Sequence, residues 1–251
     1  MSYGAYFHFY TVLFLRYSII AGLAFVVFYI LYSGKFSRIK IQKGFPKVND
    51  YTREVLFSLV SMGIIALSIF VVRSPSIKPY TRFYSSVSDH GVAYLIFSIF
   101  LALLIHDTYF YWTHRLMHHP RLFKWFHLIH HRSTNPSPWA AYSFHPLEAV
   151  VEAGAIWAIV FTIPIHTTAL ATFGFIMITY NVYGHLGYEI YPKWLINSRI
   201  GRWLNTSTNH NMHHKYFNDN YGLYFRFWDE LMHTTHPKYE ETVREIVSTP
   251  K

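Results

Sequence analysis

The sequence predicts an all-α integral membrane protein of about four to five transmembrane or re-entrant helices, with a helical cap on one face. Three observations predict it. Of the 251 residues, 52% are hydrophobic and 14% charged, against roughly 25% charged in a soluble domain. Long charge-free runs recur along the chain. The 17 histidines outnumber the 13 Asp and Glu residues, and most of them gather at the edges of those runs. Aromatic residues make up 20% of the chain. So much apolar surface excludes disorder.

The elements follow in order. Residues 1–15 carry no Lys or Arg, so a cleavable signal is not expected there. Residues 17–34 and 55–72 are charge-free and, with their flanks, long enough to span a bilayer, which takes about 20 apolar residues. Arg16 is placed to snorkel from the first span to a surface. Residues 91–105 form a third span if Tyr109-Phe110-Tyr111-Trp112 sits at the interface. Residues 153–184 are charge-free but interrupted by Pro164. They are too long for one helix and short for two, so a tight helical hairpin with Pro164-Ile165-His166 at its turn is expected. Lys35–Asp50 reads as a polar loop, and the chain from Lys238 as a charged helical tail.

If the segments alternate, residues 35–53, 113–148 and 186–251 share one face, with six, four and eight of the 22 Lys and Arg residues. That excess marks the face as cytoplasmic. The net charge of +9 then reflects topology and attraction to anionic lipid. No basic cluster interleaved with exposed aromatics stands outside the membrane-flanking loops, so no nucleic-acid partner is expected.

There is no cysteine. Disulfides, iron–sulfur clusters, thiolate-ligated metals and Cys nucleophiles are excluded. Imidazole is left to carry any chemistry. Three clusters stand out: His114-x-x-x-His118 followed by His119, His127-x-x-His130-His131, and His210-x-x-His213-His214. His106, His145 and His185 are isolated candidates. On a helix, positions i, i+3 and i+4 share a face, so two such imidazoles can grip one ion. The adjacent histidine lies about 100° round the helix and can reach a second. Random placement gives about 0.08 copies of the HxxHH triplet in a chain of this composition; two are present. The clusters supply eight imidazoles, which suits two metals better than one. With no thiolate, the candidates are iron, zinc, copper or nickel. His8, His90 and His166 read as interfacial residues, and His233 with His236 as a surface pair. His119 reads as facing water. His106, beside Asp107 at the end of an apolar span, reads as a group orienting a ligand.

The run His106-Asp107-Thr108-Tyr109-Phe110-Tyr111-Trp112-Thr113-His114-Arg115-Leu116-Met117-His118-His119, followed by the two triplets, resembles the fatty acid hydroxylase/sterol desaturase superfamily. Phe144-His145-Pro146-Leu147-Glu148 and Asn220-Tyr221-Gly222-Leu223-Tyr224 bring it closest to the sterol C-5 desaturase-like branch. The likeness covers about residues 90–237, read as the catalytic domain. Residues 1–89 add membrane helices and the basic loop, and 238–251 the tail.

The resemblance implies a membrane-bound di-iron oxygenase that hydroxylates or desaturates a lipid (sterol, fatty acyl or related). Zinc can substitute for iron in purified material. The ligands it implies are His114, His118, His127, His130, His131, His185, His210, His213 and His214. The supporting groups are Asn181, His106, Asp107, His119, His145 and Glu148. Asn181 stands where some hydroxylases of the superfamily carry a further histidine, and is expected to act as an outer group. The dimetal site would lie in a cytoplasmic helical cap. The partners implied are a lipid, O₂ and a separate electron donor, cytochrome b5-like or ferredoxin-like. Neither cysteine nor a G-x-G-x-x-G motif for a resident redox cofactor is present. Lys193, Arg199, Arg202, Lys215, Arg226 and Lys238 form the expected docking face for an acidic donor. The competing readings are a histidine-rich membrane metal-binding or transport protein without redox chemistry, and a bis-histidine haem protein. The first would place its ligands along a pathway within the spans.

Overall fold

The computed structural model describes residues 2–248. Helix α1 (Tyr3–Phe25) continues through a π-helical turn, Val26–Leu31. It is followed by α2 (Val48–Val72) and α3 (Gly91–Met117). Among the described residues, these three helices are long and apolar enough to cross a membrane. After two short helices, α4 (Pro120–Phe126) and α5 (Leu128–His131), come α6 (Pro146–Thr162) and α7 (Thr167–Gly184). The remainder is α8 (Lys193–Ile196), α9 (Ser207–Tyr216), α10 (Phe227–Leu231) and α11 (Tyr239–Ser248).

The expected hairpin is the α6–α7 pair, turning at Ile163-Pro164. It begins earlier than the charge-free run, because His145 caps α6 through Leu147 N–H and Pro146 fits the first turn. Glu148 and Glu152 thereby fall inside α6. The first span also starts earlier, at Tyr3. Arg16 does not end it, because its guanidinium packs against Gly174 of α7, where a side chain is lacking. Helix α2 starts at Val48, with the Asp50 carboxylate accepting from Lys47 N–H at 3.0 Å.

Helices α1, α2, α3, α6 and α7 pack as one bundle. Small residues sit at their contacts: Ala21, Ala66, Ala102, Ala149, Ala153 and Ala169 are all buried. Close backbone approach of this kind suits helices packed in lipid. The outward faces carry exposed Leu23, Ile30, Leu56, Leu67, Ile96 and Phe97, a surface suited to hydrocarbon rather than water. At one end, β1 (Phe83–Tyr84) pairs parallel with β2 (Ile165–His166), with Phe83 opposite Ile165, and ties the two loops together. At the other end lie all the histidine clusters.

That histidine end is pinned to the bundle through irregular backbone. The 3₁₀ segment Pro138–Tyr142 inserts among α1, α2 and α7. Its carbonyls accept from protein side chains: Trp139 from Tyr17 (2.8 Å) and Ser58 (3.1 Å), and Ala141 from Asn181 (2.7 Å). Non-helical backbone inside a bundle requires such partners. Glu54, fully buried, holds Ser137. The loop after α1 is not free either. Lys40 bridges Tyr188 through its backbone, and its ammonium sits over the rings of Phe45 (4.5 Å), Tyr188 (4.7 Å) and Tyr29 (5.2 Å). Burial lowers this lysine to about 8. Helix α11 buries Tyr239 and Val243 beside Met212 of α9; residues 249–251 of the expected tail lie outside the described residues.

Helices α3 and α6 approach closely at Gly154, where an added Cβ would overlap the Tyr109 hydroxyl, itself bonded to the Val151 carbonyl at 2.7 Å. Gly154→Ala is expected to lower stability by about 1–3 kcal/mol through overpacking. Thermal unfolding in detergent should show most of that loss relieved in the Tyr109→Phe/Gly154→Ala double variant, which removes the clashing oxygen.

Candidate metal centre

Each histidine is delivered by a defined local structure. His114 lies in the last turn of α3 and His118 caps that helix. His127 joins α4 to α5, and His130 and His131 end α5. His185 caps α7. His210, His213 and His214 lie on α9, a helix with negative mean hydropathy whose residues 207–214 are all buried. A buried polar helix forms only if its polar groups find partners. Thr206 caps it through Asn209 N–H, and Glu189 accepts from both the amide (3.0 Å) and hydroxyl (2.7 Å) of Thr208. Gln42 donates to Asn211.

The nine imidazoles converge into two adjacent groups. His114, His118, His127, His131 and His213 form one, and His130, His185, His210 and His214 the other; within each, the donor atoms lie within 4.8 Å of one another. The rings of His131 and His214 stack across the boundary with centroids 4.8 Å apart.

Six Nδ1 atoms are held from outside. His114 bonds the Tyr221 carbonyl (2.9 Å), His130 that of Ser143 (3.2 Å) and His185 that of Asn181 (2.8 Å). His213 bonds the Asp219 carbonyl (2.7 Å), His214 that of Ser133 (2.9 Å), and His127 the Glu148 carboxylate (2.6 Å). A carbonyl only accepts, so it fixes the proton on Nδ1 and leaves Nε2 as a bare lone pair. Burial and the neighbouring imidazoles hold His127, His130, His131, His210 and His214 well below the ordinary histidine range, and burial holds His185 at about 4. The rings are neutral at physiological pH.

The bare nitrogens nevertheless face one another. Nε2 to Nε2 is 2.9 Å for His114 and His127, 3.3 Å for His185 and His130, and 3.2 Å for His214 and His185. Lone pairs at that range repel unless a cation lies between them. Donors bound to one ion at about 2.1 Å sit about 3.0–3.4 Å from each other in octahedral or tetrahedral arrangements. The spacing therefore fits metal ligation, and an all-imidazole donor set suits iron, zinc, copper or nickel.

The supporting candidates divide. Glu148 touches His127. Asn181 gives its backbone carbonyl to His185 and its amide to Ala141. His106 bonds the Tyr224 hydroxyl at 2.8 Å and no cluster histidine, and Asp107 accepts from the Tyr224 and Phe225 amides. His119 and His145 cap helices α4 and α6. Sequence reasoning missed Glu189 and Asp229. The latter, buried and bonded to Tyr221 N–H, Gly222 N–H and the Thr234 hydroxyl, fixes the strand of chain whose carbonyl holds His114. The available signal was scarcity: with so few carboxylates, a buried one is expected to hold something.

The sequence profile of the fatty acid hydroxylase family matches residues 99–234, and this chain belongs to that family. Its likeness falls in the sterol C-5 desaturase-like branch. It is similar to a Delta(7)-sterol 5(6)-desaturase of Gibberella zeae, 31% identical over 182 residues, covering 72% of this chain and 54% of that protein. It is similar to lathosterol oxidase of Rattus norvegicus, 27% identical over 185 residues, covering 73% and 60%. A Delta(7)-sterol 5(6)-desaturase of Schizosaccharomyces pombe is 29% identical over 184 residues, covering 73% and 58%. The chain thus spans about half to three fifths of the length of these relatives. No solved structure matches it.

Two outcomes are expected. Glu148→Ala frees the His127 ring, and metal content or turnover should fall about 10–100-fold, as for other removed ligand partners; elemental analysis and activity measure this. In metal-stripped protein, the unfolded chain takes up protons below about 6.5, whereas buried His185 does so only near 4. The unfolded state then binds more protons, so stability should fall as pH drops through that window. Unfolding midpoints at pH 7.5, 6 and 5 check the sign.

Proposed function

We propose that the chain is a membrane-embedded di-iron lipid oxygenase that desaturates or hydroxylates a sterol-type substrate. The observation that carries this reading is the pair of adjacent nests of neutral, inward-facing imidazole nitrogens at one end of a lipid-exposed helix bundle. His114, His118, His127, His131 and His213 would hold one iron, and His130, His185, His210 and His214 the other. Bound iron supplies the reduction of O₂ and the hydrogen abstraction from an unactivated C–H bond. Family membership and the names of the relatives support lipid desaturation; Delta(7)-sterols and lathosterol are the compounds in those names.

The chain's own residues do the rest. The carbonyls and Glu148 keep the Nδ1 protons in place, so the ligands stay neutral. Asn181 stands beside the four-histidine group and leaves that side less crowded than a further imidazole would. Phe110, Phe144 and Phe173 form an apolar wall toward the bundle, which keeps water from the reacting carbon. The lipid enters from the bilayer between α3 and the α6–α7 pair.

In this reading residues 90–237 form the catalytic domain, α1 and α2 complete the lipid-facing bundle, and the histidine end faces the cytoplasm, the side with the basic excess. Electrons come from a separate acidic donor. Lys193, Arg199, Arg202, Lys215 and Lys238 are exposed there. Arg226 is withdrawn from that face: it is buried and paired with Glu230 (2.6 Å) and Glu240 (2.9 Å).

Lipid profiling of cells expressing the chain, the His130→Ala variant or neither tests the proposal. A new desaturated or hydroxylated lipid is expected with the wild type only. Identical sterol and fatty-acyl pools in all three would overturn it.

A further inference from the structure

The chain beyond α7 carries a surface that the oxidation chemistry does not use. A cavity of about 890 Å³ opens among α8, the Gly201–Trp203 turn, α10 and α11. Arg199, Arg202, Arg226 and Arg244 line it, against two carboxylates, Glu230 and Glu240. Both carboxylates are taken. Arg226 pairs with Glu230 at 2.6 Å and with Glu240 at 2.9 Å, and Arg244 lies 3.5 Å from Glu240. Arg226 also donates to the Arg202 carbonyl (3.2 Å) and lies over the Tyr239 ring (4.2 Å), which fixes the floor of the cavity. The Arg199 and Arg202 side chains are exposed and have neither a hydrogen bond nor an ion pair among the described residues. Two positive charges thus stand without a counter-charge in a preformed hollow.

A second cavity, of about 370 Å³, adjoins the first, since Trp203 lines both. Phe100 and Leu104 line it from the lipid-exposed side of α3, and Phe227 and Trp228 from α10. Its polar residues are occupied: Trp228 donates to the Thr108 hydroxyl at 3.1 Å, and Asp107 accepts from the Tyr224 and Phe225 amides. The groove therefore presents hydrocarbon. Trp194 and Ile200, beside the basic cavity, are 72% and 71% exposed. Such residues interleaved with arginines, next to a helix long enough to span a bilayer, suit the headgroup boundary and not open water.

We infer that the joined cavities bind one anionic glycerophospholipid of the surrounding leaflet, with its phosphate on Arg199 and Arg202 and an acyl chain along Phe100 and Leu104. Guanidinium matches a phosphate in charge and in its forked geometry. The basic cavity has the size of an ordinary ligand site, roughly 300–1,000 Å³, so a whole headgroup fits. A zwitterionic lipid brings its own cation to the unmatched arginines. A free anion leaves the apolar groove empty, and an acidic protein surface meets the charges but not the groove on α3. The Arg226 amide donates to the Trp203 carbonyl at 2.9 Å, so a lipid seated here joins α3 to the segments around α9. Lys193, Lys215 and Lys238 remain for the electron donor.

The test is equilibrium binding of phosphatidylglycerol and phosphatidylcholine with identical acyl chains to the purified full chain in neutral detergent, with bound lipid and metal per chain read by native mass spectrometry. Wild type is expected to bind one phosphatidylglycerol at least about tenfold more tightly than phosphatidylcholine, since each basic residue at an anionic headgroup contributes about fivefold. Arg199→Gln/Arg202→Gln should bring phosphatidylglycerol down to the affinity of phosphatidylcholine with metal content unchanged, and Arg199→Lys/Arg202→Lys, which keeps the charge, should retain most of the preference. Lys35→Gln/Lys43→Gln, which removes the same charge from the loop after α1, should leave the preference intact. Glycerophosphoglycerol, the headgroup without chains, should not displace the lipid at equal concentration. No preference in wild type, the outcome that a protein occupant predicts, would overturn the site. So would an undiminished preference in the Arg199→Gln/Arg202→Gln variant, an equal fall in both glutamine pairs, or displacement by the chainless headgroup. The wild-type comparison needs no variant, so misfolding of a variant leaves the test intact.

Discussion

Nine uncharged imidazoles packed together, six of them held so that their lone pairs point inward, are the constraint on which the rest of this structure depends. Left without a cation, each buried acceptor would cost about 1–3 kcal/mol in lost hydrogen bonding. The fold nonetheless commits four separate stretches of chain to that arrangement. It does so by gripping the rings from behind. Carbonyls of Ser133, Ser143, Asn181, Asp219 and Tyr221, and the Glu148 carboxylate, take the outer nitrogens. Those carbonyls are themselves fixed: Asp229 sets the Tyr221 segment, and Glu189 sets the start of α9. Orientation thus propagates from a few buried carboxylates to the inner ring edges.

The membrane sets the other boundary. Helices α1, α2 and α3 can show Leu, Ile and Phe to hydrocarbon, but the polar centre must be sealed from it. The seal is the inserted Pro138–Tyr142 segment, satisfied by side chains from the bundle, together with α9, satisfied by Glu189, Gln42 and Thr206. A largely polar helix packed in the interior is unstable alone and is explained only by what surrounds it. The centre and the bundle are therefore one cooperative object: α2, which carries no ligand, holds the segment after His131 through Arg53 to Ser133 and Glu54 to Ser137, and α6, which carries none either, holds His127 through Glu148.

Much of this was legible in the residues. The triplet spacing at 127–131 and 210–214 showed which rings share a helical face, and the charge-free runs showed three of the apolar helices. Pro164 located the hairpin turn. What stayed hidden depended on tertiary contact. Arg16 reads, by charge alone, as snorkelling from the first span to a surface, yet Gly174 gives it room inside the bundle. The charge-free criterion missed the first turns of α2 and α6, because Glu54 and Glu148 are charged in sequence but enclosed in the fold, and Glu152 is half-buried. His106, adjacent to Asp107, reads as a ligand's neighbour, whereas its partner is Tyr224, more than a hundred residues away. Arg226 reads as a surface cation and is a buried strut. The split of His130 from His131, and of His213 from His214, between the two groups follows the spacing, since adjacent histidines lie about 100° apart on a helix; which clusters combine into five and four depended on tertiary contact.

The most direct measurement is X-ray absorption at the metal edge of the purified full chain, with the metal quantified per chain. The account requires close to two ions per chain, with a first shell dominated by imidazole nitrogen near about 2.1 Å and the multiple scattering characteristic of histidine rings. Less than one ion per chain after reconstitution, or a first shell without imidazole scattering, would contradict it.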